Sequence, residues 1–160
     1  MSNPKPLVIK IGGAILEKEG ALGNLLSVIA KLKAGAKVVL VHGGGCVVDE
    51  MLAQAGFTTV KKHGLRVTPK EQSGTVNKSI VATANSMNLS AVGLSLIDGD
   101  MIHCQLSAQD LGQVGLPSAK NSTLLDALLN SHFLPVVSSI GALPNGDLVN
   151  VNADDAAVAI

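Results

Sequence analysis

The sequence predicts an α/β fold in which helices cover a mostly parallel β-sheet. Short apolar runs rich in β-branched residues alternate with segments whose apolar residues recur at helical spacing. The chain therefore begins as two successive β-loop-α units, an order that is typical of parallel sheets. The apolar runs are continuous, as expected of strands that are buried on both faces. Glycines follow the first two runs directly and indicate tight turns.

Each element follows from its own pattern along the chain. Ser122 or Thr123 is a plausible cap for one helix, and Asn145-Gly146 predicts a hairpin turn. The first part predicts a strand over 6–11, a helix over 22–32, a strand over 36–41, a helix over 47–55 and a short hairpin or excursion over 57–67. The rest predicts a helix over 75–87, strands over 91–97 and 101–105, a helix over 124–129, a strand over 133–138, a turn over 139–141 and a helix from 153.

The composition excludes several classes of protein. Of the 160 residues, 47% are hydrophobic and 15% are charged, which is not the composition of a disordered chain. The formal net charge is zero and there is no Trp or Tyr, which argues against a nucleic-acid binder. No apolar run reaches the ~18 residues of a membrane helix, and the N-terminus lacks the pattern of a signal peptide. We expect a soluble, cytoplasmic protein.

Neither the cysteines nor the histidines predict a metal site. Cys46 and Cys104 form no disulfide or metal-binding pattern, and we interpret Cys46 as a packing residue. The histidines are scattered, and no two stand at the spacing of metal ligands; they occupy positions 42, 63, 103 and 132.

Lys10 stands inside an apolar strand, directly before Gly12-Gly13. A lysine in that place can reach an anion that is held by the backbone of the glycine turn. The alternative is a lysine that snorkels from an edge strand, with its stem on the sheet and its ammonium group in water. This residue alone does not separate the two interpretations.

The run His42-Gly43-Gly44-Gly45 follows the second strand, at the edge where ligands bind in open α/β sheets. Glycines let the backbone approach a ligand closely, and their N–H groups form an anion site with the next helix N-terminus. No Gly-Lys-Ser/Thr follows, so this is not the P-loop motif. A tight turn would need only one glycine, and three in a row therefore favour binding.

Two other polar features stand among apolar residues. Arg66 in GLRVT is suited to bidentate binding of a carboxylate, although a surface ion pair is the alternative. The run NVNADD starts at Asn150 and lies at a strand-to-helix junction. Asp154 or Asp155 either caps the helix or orients lysines or metal-bound phosphate. The residues alone leave both alternatives open.

Taken together and in this order, VIKIGG, VHGGGCVVDE, GLRVTP and VNVNADDAA resemble the N-terminal part of the acetylglutamate kinases, a branch of the amino acid kinase family. AVGLSLIDGD, LGQVG and LPVVSSIG fit the same family. The resemblance covers essentially the whole chain. It implies an αβα sandwich around a mostly parallel sheet, and ATP-dependent phosphorylation of the γ-carboxylate of N-acetyl-L-glutamate in arginine biosynthesis. Mg²⁺ would be carried with the ATP.

The resemblance also implies roles for single residues. Lys10 is implied to stabilise the transferring phosphoryl group, and Asp154 to organise the catalytic lysines. Arg66 is implied to hold the α-carboxylate of the substrate, and Asn150 to bind the same molecule. The backbone of four glycines is implied to line the site: Gly44 and Gly45 for the acyl substrate, and Gly12, Gly13 and Gly44 for the phosphate.

The resemblance has departures that bear on the whole protein. The chain ends inside an apolar helix, so we expect residues 1–160 to be a single substrate-binding lobe of a longer protein whose ATP-binding lobe lies outside this sequence. Family members also carry several more residues between Gln72 and Ser73, and we expect these to have been left out of the sequence. The absence of an extra N-terminal helix favours a homodimer. The alternatives are a non-catalytic binding or docking module of the same fold, and another kinase of the family.

Overall fold

The structure, a computed structural model, describes residues 5–43, 61–62, 65–66, 70–107 and 114–160. Strands and short helices alternate through most of these segments. In chain order the elements are β1 (Leu7–Ile11), α1 (Gly13–Glu17), α2 (Ala21–Leu32), β2 (Val38–His42), β3 (Lys61–Lys62), β4 (Leu65–Arg66), α3 (Lys70–Ser86), β5 (Ala91–Ser95), a 3₁₀ turn (Asp98–Asp100), β6 (Ile102–Leu106), β7 (Val114–Ala119), α4 (Thr123–Asn130), β8 (Leu134–Ser138), β9 (Ile140–Ala142), β10 (Leu148–Val151) and α5 (Ala153–Ala159).

The continuous apolar runs of the sequence form a parallel sheet. Its strands lie in the order β1-β2-β8-β5, and each neighbouring pair is parallel. Since all four strands run in one direction, their carboxyl ends lie along one edge of the sheet. That edge is where the glycine run after β2 begins.

This sheet is buried on both faces, which explains why its strands are apolar at successive positions. Along β2, Val38 and Leu40 face one core, whereas Val39 and Val41 face the other, and each is at most 1% exposed. Full burial of such a side chain contributes about 1.5–3 kcal/mol. Helices α2 and α3 complete the first core, while α4, α5 and a second sheet complete the other. The predicted α/β fold with helices on both faces is confirmed.

The second sheet is mixed and was not anticipated from the sequence. Its strands lie in the order β6-β7-β10-β9; β7 and β10 are parallel, whereas β6 and β9 are antiparallel to their neighbours. The predicted hairpin turn at Asn145-Gly146 is confirmed, because it connects β9 to β10 and Gly146 has a φ of 88°. The antiparallel pairing of β3 with β4 confirms a hairpin within 57–67.

Two local predictions are wrong. Residues 139–141 do not form a turn, because Ile140–Ala142 is strand β9. Gly141 there makes room for a side chain of β6, the strand at the other end of the sheet order: an added Cβ would overlap the Sγ of Cys104. Ser122 is the N-cap residue of α4, but the expected side-chain cap does not form, because its hydroxyl donates to the Asp126 carboxylate (2.8 Å).

Three boundaries complete the comparison with the sequence. Helix α3 begins at Lys70 rather than at 75, and it runs through the junction of Gln72 and Ser73. The predicted helix over 47–55 lies outside the described residues. Among the helices that the structure describes, none has the length and apolar character needed to cross a bilayer.

Candidate active site

Hydrogen bonds connect the ends of β2, β8 and β10 at the carboxyl edge of the parallel sheet. The Ser139 N–H, just after β8, donates to the His42 carbonyl at the end of β2 (3.1 Å). The Val151 N–H, at the end of β10, donates to the Ser139 carbonyl (2.9 Å). Gly43 lies against the start of α5, since a Cβ added to it would be 3.4 Å from the Cβ of Ala153. The glycine run therefore leaves the sheet beside the N-terminus of α5.

Lys10 and Asp154 form an ion pair at this edge. The Lys10 Nζ lies 3.1 Å from Oδ1 and 3.3 Å from Oδ2 of Asp154, across 144 positions of the sequence. The side chains are 34% and 69% exposed, and ion pairs at such exposure contribute only about 0–1 kcal/mol to stability. Folding therefore gains little from this pair. Its ammonium is accessible beside the glycine turn, because a Cβ on Gly12 would be 4.0 Å from the Nζ.

Helix α5 shows why the Asp154 carboxylate is available to the lysine. Asn152 is the N-cap of this helix, and its Oδ1 accepts the N–H of Asp154 (2.7 Å). The alternative in which Asp154 or Asp155 caps the helix is therefore wrong. Asn is among the preferred N-cap residues, and that preference is the signal that could have identified Asn152.

The structure places the other residues singled out in the sequence in different parts of the fold. Gly12 is the N-cap of α1 and Gly13 is its first residue, so both lie directly beyond β1. Asn150 is half-buried in β10, where it is opposite Val114 and Ile140. The structure thus brings together Lys10, Gly12 and Asp154. Arg66 lies in β4, but its side chain is outside the described part of the chain, as are Gly44 and Gly45.

Sequence reasoning missed a buried polar pair beneath this edge. His42 is 0% exposed and Asn77, on α3, is 4% exposed. The Asn77 Nδ2 lies 3.0 Å from the His42 Nε2, 2.9 Å from the Val136 carbonyl and 3.3 Å from the Leu94 carbonyl. The other ring nitrogen of His42, Nδ1, lies 3.1 Å from the Gly43 carbonyl. An asparagine at a position of α3 that faces the apolar core is the sequence signal for this pair.

The buried His42 should make folding stability depend on pH. Burial lowers the pKa of His42 below its usual 6.5, and the hydrogen bond to Gly43 only partly opposes this. Below about pH 6.5 the unfolded chain binds a proton that the folded chain does not, so stability falls with pH by up to ~1.4 kcal/mol per unit. Urea unfolding between pH 7.5 and 5.5 measures this slope. His42→Gln should reduce the slope, whereas His103→Gln, on β6, should retain it; equal slopes in all three proteins would contradict the assignment to His42.

A parallel sheet between helices, with an ion pair and glycines at its carboxyl edge, is the arrangement in which open α/β proteins bind small ligands. The family model described as the amino acid kinase family matches residues 5–160. The chain belongs to this family, which confirms the resemblance seen in the sequence.

Individual relatives agree with this assignment. The chain is 75% identical over 170 residues to an acetylglutamate kinase of Colwellia psychrerythraea, covering 100% of the chain and 65% of that protein. It is 46% identical over 169 residues to an acetylglutamate kinase of Vibrio parahaemolyticus, covering 99% of the chain and 64% of that protein. The chain thus spans about 65% of the length of these curated relatives. The first alignment has 170 positions for the 160 residues of this chain, so at least ten of its positions are gaps in this chain.

Solved structures support the fold. The crystal structure of smu.665 from Streptococcus mutans superposes with a TM-score of 0.79 at 28% identity, covering 96% of this chain and 66% of that one. The N-acetylglutamate synthase of Neisseria gonorrhoeae, solved with coenzyme A and N-acetyl-glutamate, superposes with a TM-score of 0.73 at 24% identity. It covers 95% of this chain and 37% of that one, and its likeness shows the fold alone.

Proposed function

We propose that the protein to which this chain belongs uses ATP to phosphorylate the γ-carboxylate of N-acetyl-L-glutamate, and that residues 1–160 supply its acyl-substrate lobe. The observation that carries the proposal is the Lys10–Asp154 pair at the carboxyl edge of the sheet, beside Gly12 and close to the start of α5, against which Gly43 lies. The identity to acetylglutamate kinases supports the choice of substrate. We infer a cytoplasmic homodimer that acts in arginine biosynthesis, with no nucleic-acid or membrane partner.

The chemistry of the reaction matches the residues present. A carboxylate has a reference pKa of ~4.3, so the acceptor is already ionised at neutral pH and needs no general base. One of its oxygens bonds to the γ-phosphorus of ATP while the bond from that phosphorus to the β–γ bridging oxygen breaks. The products are an acyl phosphate and ADP. The protein must mainly position two anions and neutralise their charge, which a lysine and backbone N–H groups can do.

Each site residue has a distinct proposed role. The Lys10 ammonium donates to the transferring phosphoryl group, and Asp154 holds that ammonium at the carboxyl edge. Arg66 pairs with the α-carboxylate of the substrate, and Asn150 also binds the substrate. The backbone of the glycine turns provides the remaining N–H donors, from Gly12 and Gly13 for the phosphate and from Gly44 and Gly45 for both phosphate and acyl group.

The nucleotide substrate is proposed to be MgATP, with the metal held by the phosphates. In the described segments, no group of three or more His, Cys, Asp or Glu side chains could hold a metal ion. The Asp154 carboxylate, a suitable oxygen ligand, is occupied by Lys10. The residues present therefore fit phosphate-bound Mg²⁺ better than a metal site made by the protein alone. Bound to the phosphates, the ion neutralises part of their charge.

A substrate panel tests the proposed function. The intact protein is incubated with MgATP and N-acetyl-L-glutamate, L-glutamate, L-aspartate or UMP, and ADP release is measured together with hydroxylamine trapping of the acyl phosphate. We expect turnover with N-acetyl-L-glutamate. Turnover with one of the others instead would identify a different kinase of the family. Calorimetric binding of N-acetyl-L-glutamate without ADP release would identify a non-catalytic module.

Arg66→Lys should raise the KM for N-acetyl-L-glutamate. Lysine lacks the planar fork of arginine, and losing one hydrogen bond between charged groups costs about 1.5–3 kcal/mol, or roughly a tenfold to hundredfold rise in KM. The KM for ATP should change little. Lys61→Arg, on the strand that pairs with β4, is the control and should leave both constants unchanged. An unaltered KM in Arg66→Lys would remove Arg66 from the site.

A further inference from the structure

The buried contact between His42 and Asn77 connects the helix layer to the start of the glycine run. His42 is the last residue of β2, and Asn77 reaches it from α3. The Asn77 Nδ2 lies within hydrogen-bond distance of the His42 ring and of the Val136 and Leu94 carbonyls. The contact therefore joins α3 to the three neighbouring strands β2, β8 and β5. Neither residue belongs to the catalytic or substrate-binding set proposed above.

The two carbonyl groups determine which way the Asn77 amide faces. An NH₂ group only donates, and a carbonyl only accepts. If the amide were reversed, its oxygen would face the carbonyl oxygens of Val136 and Leu94. All three oxygens are acceptors, and no donor would lie between them. The nitrogen therefore faces the strands, and the His42 Nε2 beside it must accept. This leaves the ring proton on Nδ1, from which it is donated to the Gly43 carbonyl (3.1 Å).

Strand β5 is shaped to hold the amide in this place. A Cβ added to Gly93 would overlap the Oδ1 of Asn77 and would lie 3.1 Å from the Cγ2 of Val81. Gly93 pairs with Val136 in the sheet, so the space for the amide lies directly beside one of its acceptors. The ring of His42 is also kept neutral, because burial lowers its pKa. A neutral ring with Nδ1 protonated matches the donors and acceptors around it.

We propose that Asn77 is a positioning residue, which fixes the tautomer of His42 so that its Nδ1–H holds the Gly43 carbonyl and orients the peptide leading into the glycine run. Glycines lack the side chains that restrict backbone torsion angles, so a run of glycines needs contacts with neighbouring residues to keep one backbone conformation. Because a trans peptide is planar, a fixed Gly43 carbonyl fixes the plane of the peptide bond that follows. The effect on turnover rests on the proposed function, whereas the tautomer does not.

Histidine NMR tests the tautomer independently of activity. The intact protein is labelled with ¹⁵N-histidine, His42→Gln assigns the resonance, and long-range ¹H–¹⁵N correlations show which ring nitrogen carries the proton. We expect protonated Nδ1 and bare Nε2 near pH 7.5. In Asn77→Asp, which keeps the side-chain shape, the carboxylate accepts, so Nε2 should gain a proton. A proton on Nε2 in the wild type would overturn the proposal.

Turnover tests whether the pair positions the site. Asn77→Ala should lower kcat by about tenfold to a hundredfold, as expected for a small displacement of reacting groups, with smaller changes in KM. Asn85→Ala is the matched control: it lies on the same helix and accepts the Ala91 N–H (2.7 Å), at the amino end of β5. It should lose thermal stability while keeping its kcat. Equal losses of kcat in the two variants, or none in Asn77→Ala, would show a structural role only.

The two measurements remain separable in every case. If Asn77→Ala does not fold, Asn77→Asp replaces it in the comparison of kcat with Asn85→Ala. If the wild type does not phosphorylate N-acetyl-L-glutamate, the proposed function fails, and the tautomer of His42 alone decides whether Asn77 acts as inferred.

Discussion

Lys10→Ala is expected to lower kcat for N-acetyl-L-glutamate by about 10²–10³-fold, which corresponds to ~3–4 kcal/mol of transition-state stabilisation. Enzymes lose this much when one preorganised hydrogen-bond donor to a developing negative charge is removed. Lys10 is the cation that the structure places at the carboxyl edge, beside the glycine turn and paired with Asp154. Its contribution grows as negative charge moves onto the transferring group, so kcat should fall more than KM rises. Steady-state kinetics of the intact protein, with both substrates varied, measures the two constants.

Lys37→Ala is the control for Lys10→Ala. Lys37 directly precedes β2, and its Nζ bonds the Asn130 side chain (2.7 Å), at the amino edge of the same sheet. Removing it takes away a similar cation far from the proposed chemistry, so kcat should be unchanged. A kcat for Lys10→Ala close to that of the wild type would show that Lys10 only snorkels from its edge strand.

A double-mutant cycle separates the role of Asp154 from that of Lys10. Asp154 is proposed to act through the lysine. Asp154→Asn alone should therefore lower kcat, whereas in the Lys10→Ala variant it should lower kcat little further. Additive losses would mean that the carboxylate contributes to turnover on its own.

Gly93→Ala is expected to destabilise the fold by about 2–4 kcal/mol, because overpacking of a core and an unpaired buried polar group each cost ~1–3 kcal/mol. The added Cβ would overlap the Asn77 Oδ1. A flexible side chain could move aside, but Asn77 is 4% exposed and its amide bonds two strand carbonyls, so moving it breaks those bonds. Urea unfolding at pH 7.5 measures the change in free energy.

Gly23→Ala is the matched control and should have the opposite sign. Gly23 lies inside helix α2, and a Cβ added there meets nothing within 4 Å. Alanine restricts the unfolded chain at a position whose folded conformation it can adopt, which stabilises proteins by about 0.4–1 kcal/mol. Similar losses of stability in Gly93→Ala and Gly23→Ala would contradict the assigned crowding at Gly93.

The strands of the parallel sheet were predictable because burial on both faces requires apolar residues at successive positions. Residues 36–41 and 133–138 are almost entirely apolar, and they became β2 and β8 with both faces in contact with a core. Strand β9 was not predictable in this way. Its first two residues belong to Ser139-Ile140-Gly141, a sequence typical of a turn, and they form a strand only because β10 supplies the partner and Gly141 makes room for Cys104.

The contact between Lys10 and Asp154 was predictable from the resemblance, but the residue that caps the neighbouring helix was not. Resemblance to the family singled out Lys10 and Asp154, and the structure brings them within 3.1 Å. The residues alone did not show which side chain caps α5, since Asn152, Asp154 and Asp155 are all acceptable caps. That choice depends on the direction in which β10 enters the helix. Lys10, which pairs with the Asp154 carboxylate, comes from the other end of the chain.

By itself, the sequence determined the parallel sheet, its helices on both faces, the glycines that follow β1 and β2, and the family. These follow from local periodicity and from motifs, which are properties of neighbouring residues. The tertiary structure alone decided the mixed second sheet, the Asn152 cap, the geometry of the Lys10–Asp154 pair and the partners of His42. Each of these depends on donors, acceptors or space supplied by a neighbouring element, and no local pattern specifies which group will stand opposite another after folding.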